Sequence, residues 1–302
     1  MTLPKKVKIV EVSPRDGLQN EQQLVSAKLK IELIDLLVDA GVRYIEAGSF
    51  VNPSWVPQMA TSDAVFRGIK QRQGVTFSAL TPNLQGFNRA MAVNVGEVAI
   101  FTTVSESFSQ KNINCSVDQS LKRFTPVLKA AADKDIPVRA YISCVAGCPY
   151  EGNIDPTKVA ELAARLSEMG CYEVSLGDTI GVGTPGNISR MIEKVAEKIS
   201  IQNIAVHLHD TYGQALANIY ASLLMGVSVI DSSIAGLGGC PYVKNSQGST
   251  ASGNVATEDL IYMLNGLNIQ HGINLEKIVE AGRFISKELE RSNGSKISIA
   301  LT

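Results

Sequence analysis

The 302-residue chain is poor in everything that would mark it as a stapled, membrane-spanning or polyanion-binding protein. It has five cysteines, Cys115, Cys144, Cys148, Cys171 and Cys240, an odd number with no CxxC pair. That spacing argues against both a structural zinc ribbon and a disulfide framework, so the thiols are expected to be reduced, in a cytosol-like compartment. No stretch of 18 apolar residues occurs, which argues against a membrane-spanning helix. The N-terminal residues lack an apolar signal core or an Arg/Ser-rich transit segment, and a cytoplasmic location is expected. The 28 basic and 29 acidic side chains leave a net charge of −1, without the basic excess of a nucleic-acid binder. GxGxxG and GxxxxGK[ST] are both absent, which weakens a nucleotide-binding sheet. No Pro/Gly/Ser-rich linker divides the chain.

What is present is alternation. Eight short, β-branched apolar runs read as strands: Val7–Val12, Tyr44–Ala47, Thr76–Leu80, Glu97–Thr102, Val138–Ser143, Glu173–Leu176, Ile204–His209 and Val229–Ile234. Amphipathic stretches lie between them, among them Ser26–Ala40, Val117–Ala132, Pro156–Met169, Pro185–Ile199 and Gln214–Met225. Ser26 is a candidate cap, and Gly41, Gly170 and Gly226 are stop signals. Alternating strands and helices imply a parallel sheet with crossover helices. Eight such units predict an α/β fold, a closed (β/α)₈ TIM barrel, better than an open doubly wound sheet. The expected organisation is one domain over residues 1–302: a core at about 5–270 and a C-terminal helical extension at about 271–302 with a polar, loose end.

In such a barrel the chemistry gathers at the C-terminal ends of the strands. Arg15 and Asp16 fall at the end of strand 1, Glu46 in strand 2, Tyr141 in strand 5, Asp178 at the end of strand 6, and His207, His209 and Asp210 at the end of strand 7. Two of the chain's three histidines form His207-Leu208-His209. A strand has a period of two, so both imidazoles share a face. They are either core histidines satisfied by hydrogen bonds or, with Asp16 across the barrel, ligands of a divalent ion. Arg15 is either half of a surface ion pair or a fixed cation for a developing enolate. Glu46 is a buried partner of Arg15 or takes part directly. Asp178 contacts substrate or caps the next turn, and Tyr141 is a core aromatic or a substrate contact. Ala235-Gly236-Leu237-Gly238-Gly239-Cys240-Pro241-Tyr242 is a loop able to approach a ligand closely, with Cys240 a buried thiol or a reactive one. The amide oxygen of Asn254 could complete a metal site.

Taken together, Val10-Glu11-Val12-Ser13-Pro14-Arg15-Asp16-Gly17-Leu18-Gln19-Asn20-Glu21, Ser175-Leu176-Gly177-Asp178-Thr179-Ile180-Gly181, His207-Leu208-His209-Asp210-Thr211-Tyr212-Gly213 and Gly236-Leu237-Gly238-Gly239-Cys240-Pro241-Tyr242 resemble the motifs of 3-hydroxy-3-methylglutaryl-CoA lyases. So does Phe50-Val51-Asn52-Pro53-Ser54-Trp55-Val56-Pro57-Gln58-Met59, and the similarity runs from about residue 5 to about residue 290. The resemblance implies a carbon–carbon lyase that cleaves (S)-3-hydroxy-3-methylglutaryl-CoA into acetoacetate and acetyl-CoA. It implies a divalent cation, Mg²⁺ or Mn²⁺, on Asp16, His207, His209 and Asn254. Arg15 would stabilise the enolate, Cys240 would act in proton transfer, and Glu46 would support Arg15 and the metal shell. Tyr141, Asp178 and Gln19 would contact or orient substrate. The general base stays open between Asp16, a histidine and a metal-bound water. The implied partners are an acyl-CoA thioester and a second copy of the chain in a homodimer, with no nucleic acid and no membrane. Alternatives are a lyase for another 3-hydroxyacyl-CoA, a condensing synthase of the isopropylmalate or homocitrate type, a metal-dependent aldolase and a non-catalytic binding barrel. In one departure, Val243-Lys244-Asn245-Ser246-Gln247-Gly248-Ser249-Thr250 lengthens a stretch that the family keeps to a few residues. The added residues are polar and turn-forming, so the fold should tolerate them; they bear on how the loop closes.

Overall fold

The computed structural model describes residues 2–239 and 253–301. Eight parallel strands close in sequence order into a barrel: β1 Lys8–Glu11, β2 Tyr44–Ser49, β3 Thr76–Leu80, β4 Glu97–Thr103, β5 Val138–Ser143, β6 Glu173–Asp178, β7 Ile204–Leu208 and β8 Val229–Ser232. The expected barrel is therefore the observed one. Helices α1 Ala27–Asp39, α2 Ser62–Gly68, α3 Leu84–Met91, α4 Glu106–Ile113, α5 Val117–Ala132, α6 Pro156–Glu168, α7 Pro185–Ala196, α8 Ala215–Leu224 and α9 Thr257–Gly266 lie in the connections and after β8. α10 Leu275–Glu288 and α11 Lys296–Ala300 follow.

The helix starts are written locally. Ser26 accepts from Leu29 N ahead of α1, and Ser116 and Gln119 form a reciprocal cap on α5. Each outer helix turns an apolar stripe to the strands; Leu33, Ile34 and Leu37 of α1 are fully buried. Burial of one such side chain stabilises the fold by about 1.5–3 kcal/mol. Gly41 ends α1 at a φ of 104°, where a Cβ would lie 2.3 Å from the Gly272 carbonyl, so only glycine fits.

Two expectations change. α2, α3 and α4 each have eight residues or fewer, too short for a periodic signal to stand out, and were not among the helical stretches named from the sequence. The polar chain end is held: Asp259 of α9 accepts from Ser295 Oγ at 2.6 Å, from Ile297 N at 2.9 Å and from Lys296 N at 3.1 Å. The sequence shows Asp259 and Ser295 only as polar residues 36 positions apart; the chain reversal brings them together.

Facing strands place inward side chains in register. Tyr141 pairs with Ser175, Gly177 with His207, and His207 with Asp231. The lumen carries a charged layer beneath its mouth. Arg139 donates to Glu173 at 2.6 Å and to both oxygens of Asp231 at 2.6 and 3.1 Å, all of them buried. Charges this deep persist because they are paired and hydrogen-bonded on several sides.

Candidate active site

Arg15 and Asp16 do not end strand 1. They sit in a π-helical turn, Ser13–Gly17, that re-aims both side chains over the barrel mouth. The turn must pack tightly, since a Cβ on Gly17 would lie 2.7 Å from Ser233 Oγ. Arg15 donates from Nε to Glu46 Oε2 at 2.5 Å and from NH1 to Asp16 Oδ1 at 2.6 Å. Its guanidinium also stands 5.5 Å from the centroid of Tyr141. Burial pulls the Arg15 pKa down, but Glu46 and Asp16 outweigh it and the guanidinium stays charged. Glu46 is fully buried, which raises its pKa against the pull of Arg15, and its Oε1 has no hydrogen-bond partner.

His207 and His209 lie opposite, ring centroids 5.4 Å apart. His207 is the penultimate residue of β7, whereas His209 is one residue beyond the strand, held by a bridge to Asn254. A ligand atom from each of Asp16, His207 and His209 lies within 4.8 Å of the others, so these residues could hold a metal ion. The fit is visible in the unsatisfied atoms: His209 Nδ1 and Asn254 Oδ1 are buried without partners. A buried polar atom left unpaired calls for an explanation, and a bound ion is one that suits this pair. Burial, with His207 nearby, pushes the His209 pKa down to about 4, leaving a neutral imidazole with a lone pair to give. For Asp16, burial works upward, but Arg15, His207 and His209 hold its carboxyl well below the usual range. For His207, burial works downward and is outweighed by Asp231 and Asp16, so its pKa is raised. Asn254 reaches the same centre, donating to Asp16 Oδ2 at 2.8 Å and to the Leu237 carbonyl at 3.1 Å. Gly238 lies against both: a Cβ there would be 2.6 Å from Asn254 Nδ2 and 3.6 Å from Asp16 Oδ2.

These groups open into a cavity of about 1010 Å³. Gln19 and Tyr141 line it beside Arg15, and Phe50, Leu80, Phe101 and Phe124 form an apolar wall. Tyr141 is a buried aromatic whose hydroxyl lies 2.8 Å from Arg139 NH1, and it also lines the cavity. Asp178 behaves as a turn cap. It is buried, Oδ2 accepts from Gly183 N at 2.7 Å, and burial raises its pKa to about 6. Its neighbours Gly177 and Thr179 reach the cavity instead. Cys240 and the added residues 243–250 lie outside the described residues; Asn20 Nδ2 donates to the Gly239 carbonyl at 2.8 Å, just before them. Arg139, Ser175 and Asp231 were not singled out from the sequence. The available signal was charge inside apolar strand runs, Val138-Arg139-Ala140 and Ile230-Asp231-Ser232, at positions of inward period.

A (β/α)₈ barrel whose mouth joins an ion-paired arginine to a carboxylate and two imidazoles defines the class: a barrel enzyme with residues that could hold a metal ion. The comparisons agree. A family model described as HMGL-like matches residues 6–285. A 3-hydroxy-3-isohexenylglutaryl-CoA/hydroxymethylglutaryl-CoA lyase of Pseudomonas aeruginosa is 59% identical over 301 residues, covering 100% of this chain and 99% of that one. Human mitochondrial hydroxymethylglutaryl-CoA lyase is 57% identical over 299 residues, covering 99% and 90%. The crystal structure of the hydroxymethylglutaryl-CoA lyase from Pseudomonas aeruginosa superposes with a TM-score of 0.96 at 59% identity, covering 100% and 99% of the two chains. An HMG-CoA lyase from Acinetobacter baumannii, in complex with coenzyme A and 3-methylmalate, does so with a TM-score of 0.93 at 32% identity, covering 99% and 96%. The chain belongs to the HMGL-like family, and within it to the hydroxymethylglutaryl-CoA lyases.

Proposed function

We infer that this chain cleaves (S)-3-hydroxy-3-methylglutaryl-CoA to acetoacetate and acetyl-CoA, and that Asp16, His207, His209 and Asn254 hold the divalent cation, Mg²⁺ or Mn²⁺, that the reaction uses. The observation that carries the reading is the meeting of Arg15 with the Asp16–His207–His209 cluster at the mouth of one cavity, in a chain 59% identical throughout to a named lyase of this substrate. A bound divalent cation would lower the pKa of the tertiary hydroxyl and orient the hydroxyl and a carboxylate oxygen.

The chain's own residues supply the rest. Removal of the hydroxyl proton lets its oxygen pair form the ketone of acetoacetate as the C2–C3 bond breaks; the electrons of that bond pass to the acetyl-CoA enolate. Arg15, fixed between Glu46 and Asp16, faces the negative charge as it grows on the thioester oxygen. Tyr141 and Gln19 bound the space beside it. Asp178 orients by holding the 181–183 turn. Cys240, by the family resemblance, returns a proton to the enolate carbon. A homodimer and a cytoplasmic location are part of the same proposal, the latter supported by the buried free thiols Cys115, Cys144, Cys148 and Cys171. Among the described residues no helix is long and apolar enough to cross a membrane.

The test is acetyl-CoA release from a panel of 3-hydroxyacyl-CoA thioesters, before and after chelation and with Mg²⁺ or Mn²⁺ restored. Cleavage of the 3-hydroxy-3-methylglutaryl thioester that is lost on chelation and regained with either ion is the expected result. Consumption of acetyl-CoA with a 2-oxo acid, or metal-independent cleavage, would overturn the reading.

A further inference from the structure

We propose that Asp231, on β8, is a positioning residue that fixes the ring orientation and tautomer of His207, so that His207 offers Nε2 to the cation. The proposal rests on the reading of Asp16, His207 and His209 as a cation site. β7 and β8 pair His207 directly with Asp231, and Asp231 Oδ2 lies 3.2 Å from His207 Nδ1. An ionised carboxylate only accepts hydrogen bonds, so the ring nitrogen facing it must carry the hydrogen. In the neutral ring Nε2 is then the bare nitrogen, and it lies 3.7 Å from Asp16 Oδ2, on the side where the cluster converges.

The carboxylate cannot turn to follow a moving ring. Arg139 grips both of its oxygens, at 2.6 and 3.1 Å, and Ser175 Oγ donates to Oδ2 at 2.9 Å. Glu173 holds the same guanidinium from its other side at 2.6 Å. Arg139 NH1 also donates to the Tyr141 hydroxyl at 2.8 Å, and the Tyr141 ring meets His207 edge-on at a centroid distance of 5.9 Å. One buried guanidinium thus locks both groups that bear on the His207 ring. The His209 ring instead meets the Thr179 backbone, with its Nδ1 buried without a partner. Anchors of this kind are typically worth about 10–100-fold in metal affinity.

The experiment uses the full chain stripped of metal and titrated with Mn²⁺, free ion being followed by electron paramagnetic resonance. Asp231→Asn is expected to raise the Mn²⁺ dissociation constant by about 10–100-fold. Long-range ¹H–¹⁵N spectra of the Mg²⁺-loaded parent, which has only three imidazoles to assign, should show His207 protonated at Nδ1. That spectrum needs no variant and decides the matter if Asp231→Asn fails to fold. A folded Asp231→Asn chain binding Mn²⁺ within twofold of the parent, or a parent His207 protonated at Nε2, would overturn the proposal. His207→Ala separates the two levels: if it leaves Mn²⁺ affinity unchanged, the cation site itself is wrong; if it lowers affinity while Asp231→Asn does not, only the anchor is.

Discussion

Replacing Arg15 by Gln perturbs charge compensation in two places at once, and the structure separates them. Toward the cavity, the guanidinium is the preorganised cation for the enolate. Loss of one such donor costs about 10²–10³ in kcat, or about 2.7–4 kcal/mol. Toward the barrel wall, the same side chain is the partner of Glu46, whose side chain is 0% exposed. Removing one member of a buried pair typically costs about 3–5 kcal/mol of stability. Burial already raises the Glu46 pKa, so part of that cost is avoided when Glu46 takes up a proton. Arg15→Gln should therefore lose both rate and thermal stability while retaining its metal, because Arg15 supplies no atom to the Asp16–His207–His209 cluster. Adding Glu46→Gln should return part of the stability and none of the rate. The measurements are kcat under saturating substrate, thermal unfolding and elemental analysis on the same preparations. Parental kcat in Arg15→Gln, or recovery of kcat together with stability in the double variant, would refute the assignment of Arg15 to the developing charge.

Other outcomes follow from the same geometry. His207→Ala and His209→Ala should each lower bound metal by elemental analysis, and unchanged occupancy in both would remove the ligand set. Gly238→Ala places a methyl group 2.6 Å from Asn254 Nδ2 at a φ of 111°, so it should weaken metal binding and turnover while leaving the far side of the barrel, read by hydrogen exchange, untouched. Burial raises the Glu11 pKa to about 7 and that of Glu258 to about 8. The folded chain thus keeps protons on these groups that the unfolded chain has released, and stability should fall as pH rises from about 6.5 to 8. His209, lowered to about 4, has finished its opposing contribution below that window. Glu258→Gln should flatten the slope of melting temperature against pH, and an unchanged slope would show that Glu258 is ionised throughout.

The order of elements and the conspicuous candidate residues at the barrel mouth were legible in the sequence because both are local properties. Strand and helix periods, the Ser26 cap and the Gly41 stop depend on neighbours along the chain, and His207-Leu208-His209 shares a face through the two-residue period of any strand. Closure of the barrel followed from counting eight units. What the sequence could not state is which polar groups meet. Asp16 and Asn254 are 238 positions apart, and Arg139 and Asp231 are 92 apart, yet each pair is hydrogen-bonded. Register between strands brings Asp231 beneath His207, and a π-helical turn, not a strand end, aims Arg15 and Asp16. Asp178 reads the same in sequence whether it faces substrate or a backbone turn, and only the fold points it at Gly183. Hydrogen-bond energy is decided over a few tenths of an ångström, a precision that chain closure supplies and residue order alone does not.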